Sequence, residues 1–151
     1  MKLAEALQIR ADLQKRLHQL ATRLDNNATV QEGSLPAENP EDLMDELDST
    51  IEQLQDIMQR INLTNSEVRD ADGQSLTELI ARRDCLQKKT SMLRDFMDEA
   101  SSLTSRRTLS EIRTISTVDV GRLRKKIDRL AKELRETDLK IQQMNWTVDL
   151  T

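Results

Sequence analysis

Asp72-Gly73-Gln74-Ser75-Leu76-Thr77-Glu78-Leu79 is the stretch that decides the fold. Asp72-Gly73 is a turn dipeptide. Ser75 followed three residues later by Glu78 has the spacing of a capping box, in which each residue satisfies the other's free backbone amide at a helix start. A turn this short returns the new helix alongside the previous one as an antiparallel neighbour. Downstream, Leu76, Leu79, Arg83, Leu86, Thr90, Leu93, Met97 and Ala100 recur at intervals of three and four, widened by Ile80, Phe96 and Leu103. That recurrence marks a helix with one buried stripe.

The same spacing extends outward in both directions. Toward the N-terminus, Leu3, Ala6, Arg10, Leu13, Leu17, Leu20 and Leu24 form a first stripe. Gly33, Pro36 and Pro40 then cluster in a polar connection. Asn39-Pro40 supplies an N-cap and a proline at the first helical position, and Glu41 and Asp42 suit the positive end of the helix dipole. A second stripe is expected at Leu47, Ile51, Leu54, Met58, Ile61, Asn65 and Val68. A fourth follows at Val120, Leu123, Ile127, Leu130, Leu134, Thr137, Ile141 and Met144. Seven-residue periods favour shallow, coiled-coil-like packing. The expected fold is all-α: one domain over 1–151, an antiparallel up-down four-helix bundle with helices near 2–26, 40–66, 75–104 and 118–144.

Three Thr-, Val- and Ile-rich stretches, 28–32, 111–117 and 146–150, read as short strand-like arms. The first two fall at one end of an up-down bundle and the third at the other. A strand partner for Trp146–Leu150 is therefore expected from a second subunit. Ile112, Ile115, Trp146 and Val148 are the candidate oligomer contacts.

Composition agrees with helices. Charged residues make up 33% and aromatic ones 1% of 151 residues, so the core rests on Leu, Ile, Val and Met. One cysteine, Cys85, allows no internal disulfide, and it reads as a small buried hydrophobe. The opening Met1-Lys2-Leu3-Ala4-Glu5-Ala6-Leu7 turns charged before a signal-peptide core could form, and no run reaches membrane-span length, so the cytoplasm is the expected location.

Catalytic patterns are missing. Glycines at 33, 73 and 121 cannot compose a phosphate-cradling loop. One histidine, His18, and one cysteine cannot build a zinc site, and His18 reads as a surface residue. Asp70-Ala71-Asp72-Gly73 resembles the middle of a calcium loop, but its register puts Val68 first and Leu79 twelfth, where acidic ligands are required. The carboxylates between Glu38 and Asp56 lack the Glu-x-x-His of a di-metal bundle. No enzyme, cofactor, metal or small-molecule substrate is inferred.

Charge supplies the sharpest remaining feature. Glu38 to Asp56 holds eight acidic residues and no basic one, at a net charge of -4 for the chain. Arg106, Arg107, Arg113, Arg122, Arg124, Lys125, Lys126, Arg129 and Lys132 form an opposing block. Such a block either neutralises the acidic helix or contacts phosphates. The net charge and the lack of stacking aromatics favour neutralisation, with nucleic acid as the second reading and Arg106 to Arg129 its candidate contacts. Arg10, Arg83, Thr90 and Thr137 interrupt apolar stripes, a device that often sets register or oligomeric state. Arg82-Arg83-Asp84 has the makings of an ion pair inside a bundle or subunit interface.

The whole chain resembles a family of bacterial helical proteins labelled septicolysin. The resemblance is carried by Met1-Lys2-Leu3-Ala4-Glu5-Ala6-Leu7, Val30-Gln31-Glu32-Gly33, Arg60-Ile61-Asn62-Leu63-Thr64-Asn65, Leu76 to Asp84, Ser116-Thr117-Val118-Asp119-Val120 and Asn145-Trp146. It implies a small helical protein, offers no catalytic residues, and through its label suggests a membrane-active cytolysin. Against that stand the absent secretion signal and the absence of a long apolar segment. The residues favour a non-enzymatic structural or interaction protein that associates with itself.

Overall fold

A computed structural model describes residues 1–102 and 113–151. The all-α expectation holds: four helices, α1 (Leu3–Asn26), α2 (Pro40–Glu67), α3 (Leu76–Ser101) and α4 (Val120–Thr147). Contacts divide the chain into two units, Met1–Arg69 with Met144–Thr151, and Asp70–Gln143.

Each helix starts where its capping chemistry dictates. Asn39 Oδ1 accepts from the Glu41 amide at 3.0 Å, with Pro40 leading α2. Ser75 Oγ accepts from the Glu78 amide at 3.2 Å while Glu78 Oε2 accepts from the Ser75 amide at 2.7 Å, closing the capping box. Asp119 Oδ1 serves α4 by accepting from the Arg122 amide at 3.0 Å. These contacts satisfy amides that the helix itself leaves open.

In the first unit α1 and α2 pack antiparallel, with Arg16 opposite Glu46 and Arg23 opposite Glu38. Their seam buries Leu3, Ala6, Leu13 and Leu20 of α1 against Leu43, Thr50, Ile57, Ile61 and Thr64 of α2. The α2 register differs from the expected one at alternate positions. Leu47, Leu54, Ile61, Asn65 and Val68 face inward or partly so, with Thr64 buried beside Asn65, but Thr50 and Ile57 replace Ile51 and Met58. Ile51 and Met58 are 45% and 40% exposed. Threonine fits the seam because its hydroxyl finds a partner on its own helix. Thr50 donates to the Glu46 carbonyl at 2.7 Å and Thr64 to the Arg60 carbonyl at 2.8 Å, leaving only methyl groups for the interior.

The second unit repeats this plan. Lys140 of α4 sits beside the turn that precedes α3, and Arg82 of α3 lies opposite Glu133, so α3 and α4 also run antiparallel. Leu76, Leu79 and Thr90 of α3 are buried, as are Ile127, Thr137 and Ile141 of α4. Thr137 donates to the Glu133 carbonyl at 2.8 Å. Cys85 and Phe96, expected inside, are exposed. Both fall beside the Leu86–Thr90–Leu93–Met97 line, on the flank that the narrow seam leaves in solvent.

The repetition is written in the sequence. Arg10-Ala11-Asp12-Leu13-Gln14-Lys15-Arg16 corresponds to Arg83-Asp84-Cys85-Leu86-Gln87-Lys88-Lys89, and Leu3-Ala4-Glu5 to Leu76-Thr77-Glu78. Ile61, Asn65 and Val68 correspond likewise to Ile141, Asn145 and Val148. The chain is an internally duplicated helical hairpin.

Among the described residues none of the three expected arms forms a strand of its own. Residues 28–32 run into a turn closed by the Ser34 amide on the Gln31 carbonyl at 2.9 Å, with Gly33 at φ 84°, a value that favours glycine. The described part of 111–117 is irregular, and residues 111–112 lie outside the described residues. Trp146 and Thr147 belong to α4, and the rest of the C-terminal arm pairs with the chain's own start, through an antiparallel bridge between Lys2 and Asp149.

The α2 register yields a direct test. Ile57→Ala removes buried volume and is expected to cost roughly 2–4 kcal/mol in urea unfolding, whereas Ile51→Ala on the exposed flank costs about 1 kcal/mol or less.

Candidate interaction surfaces

The two termini are clasped to each other and to α2. The Leu3 amide donates to the Val148 carbonyl at 3.0 Å and the Leu150 amide to the Met1 carbonyl at 2.9 Å. Lys2 Nζ reaches the Thr147 carbonyl at 3.0 Å and Asp149 at 2.9 Å. Arg60 Nε donates to the Thr151 carbonyl at 3.0 Å, and the Thr151 amide donates to Thr64 Oγ1 at 3.0 Å. The backbone of Val148 is thus used within the chain, because Met1–Leu3 begins where α4 ends and a tethered partner outcompetes a free one. Trp146 and Ile115 remain exposed at 68% and 74%, and Ile112 lies outside the described residues.

In the second unit the turn before α3 is built on Asp70. Its Oδ1 accepts from the Asp72 amide at 3.0 Å and the Gln74 amide at 2.8 Å. Gly73 adopts φ 82°, and Lys140 Nζ reaches Asp70 Oδ2 at 3.3 Å and also pairs with Asp72. The backbone amide of Gln74, followed by Lys140 and the Asp72 amide, holds the Asp70 carboxyl below its usual range. The Asp70–Gly73 motif is a capped, lysine-braced turn. Among the described residues no group of three His, Cys, Asp or Glu is placed to hold a metal ion.

At the acidic start of α2, Glu38 and Glu46 are matched by arginines of α1. Arg23 forks onto Glu38 at 2.6 Å and reaches Glu46 at 3.3 Å, while Arg16 donates to Glu46 at 2.7 Å. Hydrogen bonding from Arg23 pulls the Glu38 carboxyl down, and that from Arg16 does the same for Glu46. Glu38 and Glu46 thus have their partners on the neighbouring helix of the same unit.

The described part of the basic block is exposed. Arg122, Arg124, Lys125, Lys126 and Arg129 are exposed on the first turns of α4, and among the described residues none of them forms an ion pair. Arg122, Lys125, Lys126 and Arg129 stand at intervals of three and four and share one side of the helix. Arg113 is exposed just before α4; Arg106 and Arg107 lie outside the described residues. His18 is exposed, as expected.

A second surface lies on α2. Met44, Ile51 and Met58 recur every seven residues along α2 at 42%, 45% and 40% exposure. Glu41, Asp45, Asp48 and Glu52 line the outer side of this stripe, all exposed. Its signal was present as a second apolar line displaced one residue from the buried one.

Arginines inside the two hairpins differ in their partners. Arg83 donates to Asp84 Oδ1 at 2.9 Å and faces Asp138 at 3.7 Å. Its duplicate Arg10 has Ala11 and Met58 at the corresponding places. Arg10 Nε is buried without a hydrogen-bond partner among the described residues. An unmet buried donor of this kind costs about 1–3 kcal/mol.

Comparison with known proteins follows the fold closely. Residues 10–150 match the model of a family of unknown function, DUF6847. The chain belongs to that family. It is also similar to a crystal structure of a functionally unknown conserved protein from Corynebacterium diphtheriae, at 40% identity and TM-score 0.90, covering 100% of this chain and 99% of the other. No protein of curated function matches. The family's description contains no reference to septicolysin.

Acid should loosen the ion pairs. Glu38, Glu46, Asp70 and Asp149 all have folded-state pKa values below the ordinary range. Their contribution is complete above the unfolded carboxylate pKa of roughly 4 and fades as pH falls through the lower folded values. The melting temperature is expected to drop between pH 5 and pH 2, by calorimetry (about the carboxylate range), and Arg16→Met with Arg23→Met should flatten that drop.

Proposed function

We propose that this DUF6847 protein is a non-enzymatic, cytoplasmic interaction protein that associates with itself through the exposed apolar stripe of α2. The observation that carries the reading is Met44–Ile51–Met58. Three large apolar side chains in line on one helix, bordered by charge, have the layout of an association seam more than of a solvated face. No helix among the described residues is long and apolar enough to cross a membrane, which leaves a protein surface as the natural cover for such a stripe.

A different observation favours a second reading. Arg122, Arg124, Lys125, Lys126 and Arg129, exposed on the first turns of α4 and without an ion pair among the described residues, suit phosphate contacts on a nucleic acid. Such binding would weaken steeply with salt and vanish on reversing Arg122, Lys125, Lys126 and Arg129 to Glu.

Light scattering on the eluting protein tests the first reading. The expected mass is a multiple of 17.4 kDa. Ile51→Asp should return the protein to the monomer mass while leaving its melting temperature within a few degrees, because the residue lies outside the buried seam. A wild-type monomer at high micromolar concentration and low salt would overturn self-association, and an absorbance ratio dominated by 260 nm would support the nucleic-acid reading.

A further inference from the structure

The duplicated hairpins carry opposite charge at the starts of their second helices. Ile61, Asn65 and Val68 align with Ile141, Asn145 and Val148, and the same register aligns Leu43 with Leu123 and Leu47 with Ile127. In that register Asp42 stands where α4 has Arg122, Asp45 where it has Lys125, Glu46 where it has Lys126 and Glu52 where it has Lys132. Glu46 is occupied by Arg16 and Arg23. Glu41, Asp45, Asp48 and Glu52 on α2 and Arg122, Arg124, Lys125, Lys126 and Arg129 on α4 are exposed, and none of them takes part in an ion pair among the described residues. The α2 acids stand one, three or four positions from Met44 or Ile51, which places them along one edge of the exposed stripe.

We infer that the basic face of α4 from a second copy of this chain covers the Met44–Ile51–Met58 stripe. This rests on the self-association reading above and names the surface that answers the stripe. Charge complementarity selects the occupant: the four free carboxylates beside the stripe meet the five free cations of α4, whereas two α2 faces brought together would set acid against acid. The lengths agree, since Glu41 to Glu52 and Arg122 to Lys132 each run about 15 Å along their helices. On α4 the places of Met44 and Ile51 are taken by Arg124 and Ala131. The stripe is therefore covered by the methylene stems of arginine and lysine, which lie on apolar surface while their charged ends reach the carboxylates at its edge. Charged residues flank a coiled-coil seam in the same way, with apolar contact supplying attraction and ion pairs fixing partner and register. Each copy carries both faces, so in a closed assembly every α2 finds the α4 of another copy.

The test uses the full chain, sedimentation equilibrium at low salt, and circular dichroism to follow folding. Reversing α2 (Asp45→Lys, Asp48→Lys, Glu52→Lys) or α4 (Arg122→Glu, Lys125→Glu, Arg129→Glu) sets like charges face to face, and each variant should self-associate about tenfold or more weakly than the wild type. All six side chains are exposed, so the melting temperature of each variant monomer should stay within a few degrees. An equal mixture of the two variants should recover association: the new lysines of one meet the new glutamates of the other, and the native faces meet as before. A single chain carrying both reversals should likewise self-associate. Neither rescue is open to a nucleic-acid contact, which the α4 reversal removes outright. A wild-type assembly that neither reversal weakens would overturn α4 as the cover while self-association stands, and so would a loss that neither mixing nor the double reversal restores. Nucleic acid that stops co-eluting on α4 reversal, at unchanged protein mass, would overturn it in favour of the second reading. A wild-type monomer throughout would overturn both this inference and self-association.

Discussion

Each helix has one narrow apolar seam with which to hold itself in place, and everything else in the structure follows from that. In folded proteins most helical stability comes from packing an amphipathic face, so these helices are held seam on seam. With one phenylalanine and one tryptophan, both exposed, the interior is filled by aliphatic side chains and threonine methyls. Aliphatic seams of this kind have little lateral extent. Residues one step off the line, such as Ile51, Met58, Cys85 and Phe96, stand in solvent even when their chemistry would suit the core. Chain ends and turns are consequently held by polar chemistry instead: Asn27 donates to the Arg23 carbonyl at 2.8 Å and accepts from the Glu38 amide at 2.9 Å, stapling the α1–α2 connection.

Much of this was legible beforehand. Asn39-Pro40 and Ser75-x-x-Glu78 place two helix starts, and the stripes of α1, α3 and α4 match burial among the described residues except at Phe96. The α2 register is ambiguous in the sequence because two apolar lines run side by side there: hydropathy alone prefers Ile51 over Thr50, and Ile57 and Met58 are both apolar. Threonine's ability to hydrogen-bond its own helix inverts that preference. The C-terminal arm was assigned a foreign partner because Met1 and Lys2 carry no strand signature; pairing there needs only two backbone groups on each side, which no side-chain pattern announces.

Surfaces were legible in content and not in pairing. Arg122 to Arg129 could be seen as a basic block from composition, and the structure places its exposed members on one helix. Which arginines answer Glu38 and Glu46 depended on hairpin geometry. The duplication is faint in the sequence because the two hairpins share few identities, concentrated near Arg10–Arg16 and Arg83–Lys89. Once burial is known, the correspondence between Ile57, Ile61 and Thr64 on one side and Thr137, Ile141 and Met144 on the other makes it plain.

Because Met1 and Leu150 share a backbone hydrogen bond of 2.9 Å, the beginning and end of the polypeptide are neighbours in space. A short peptide link could therefore join them, turning the chain into a closed ring with no geometric penalty at the junction. New ends could then be opened in the exposed Gln31–Ser34 turn, giving a permuted molecule with the same four helices in a different order. The same proximity has a practical side. An affinity tag on either end sits beside Lys2 and Asp149, and a bulky one would compete with the salt bridge that fastens them.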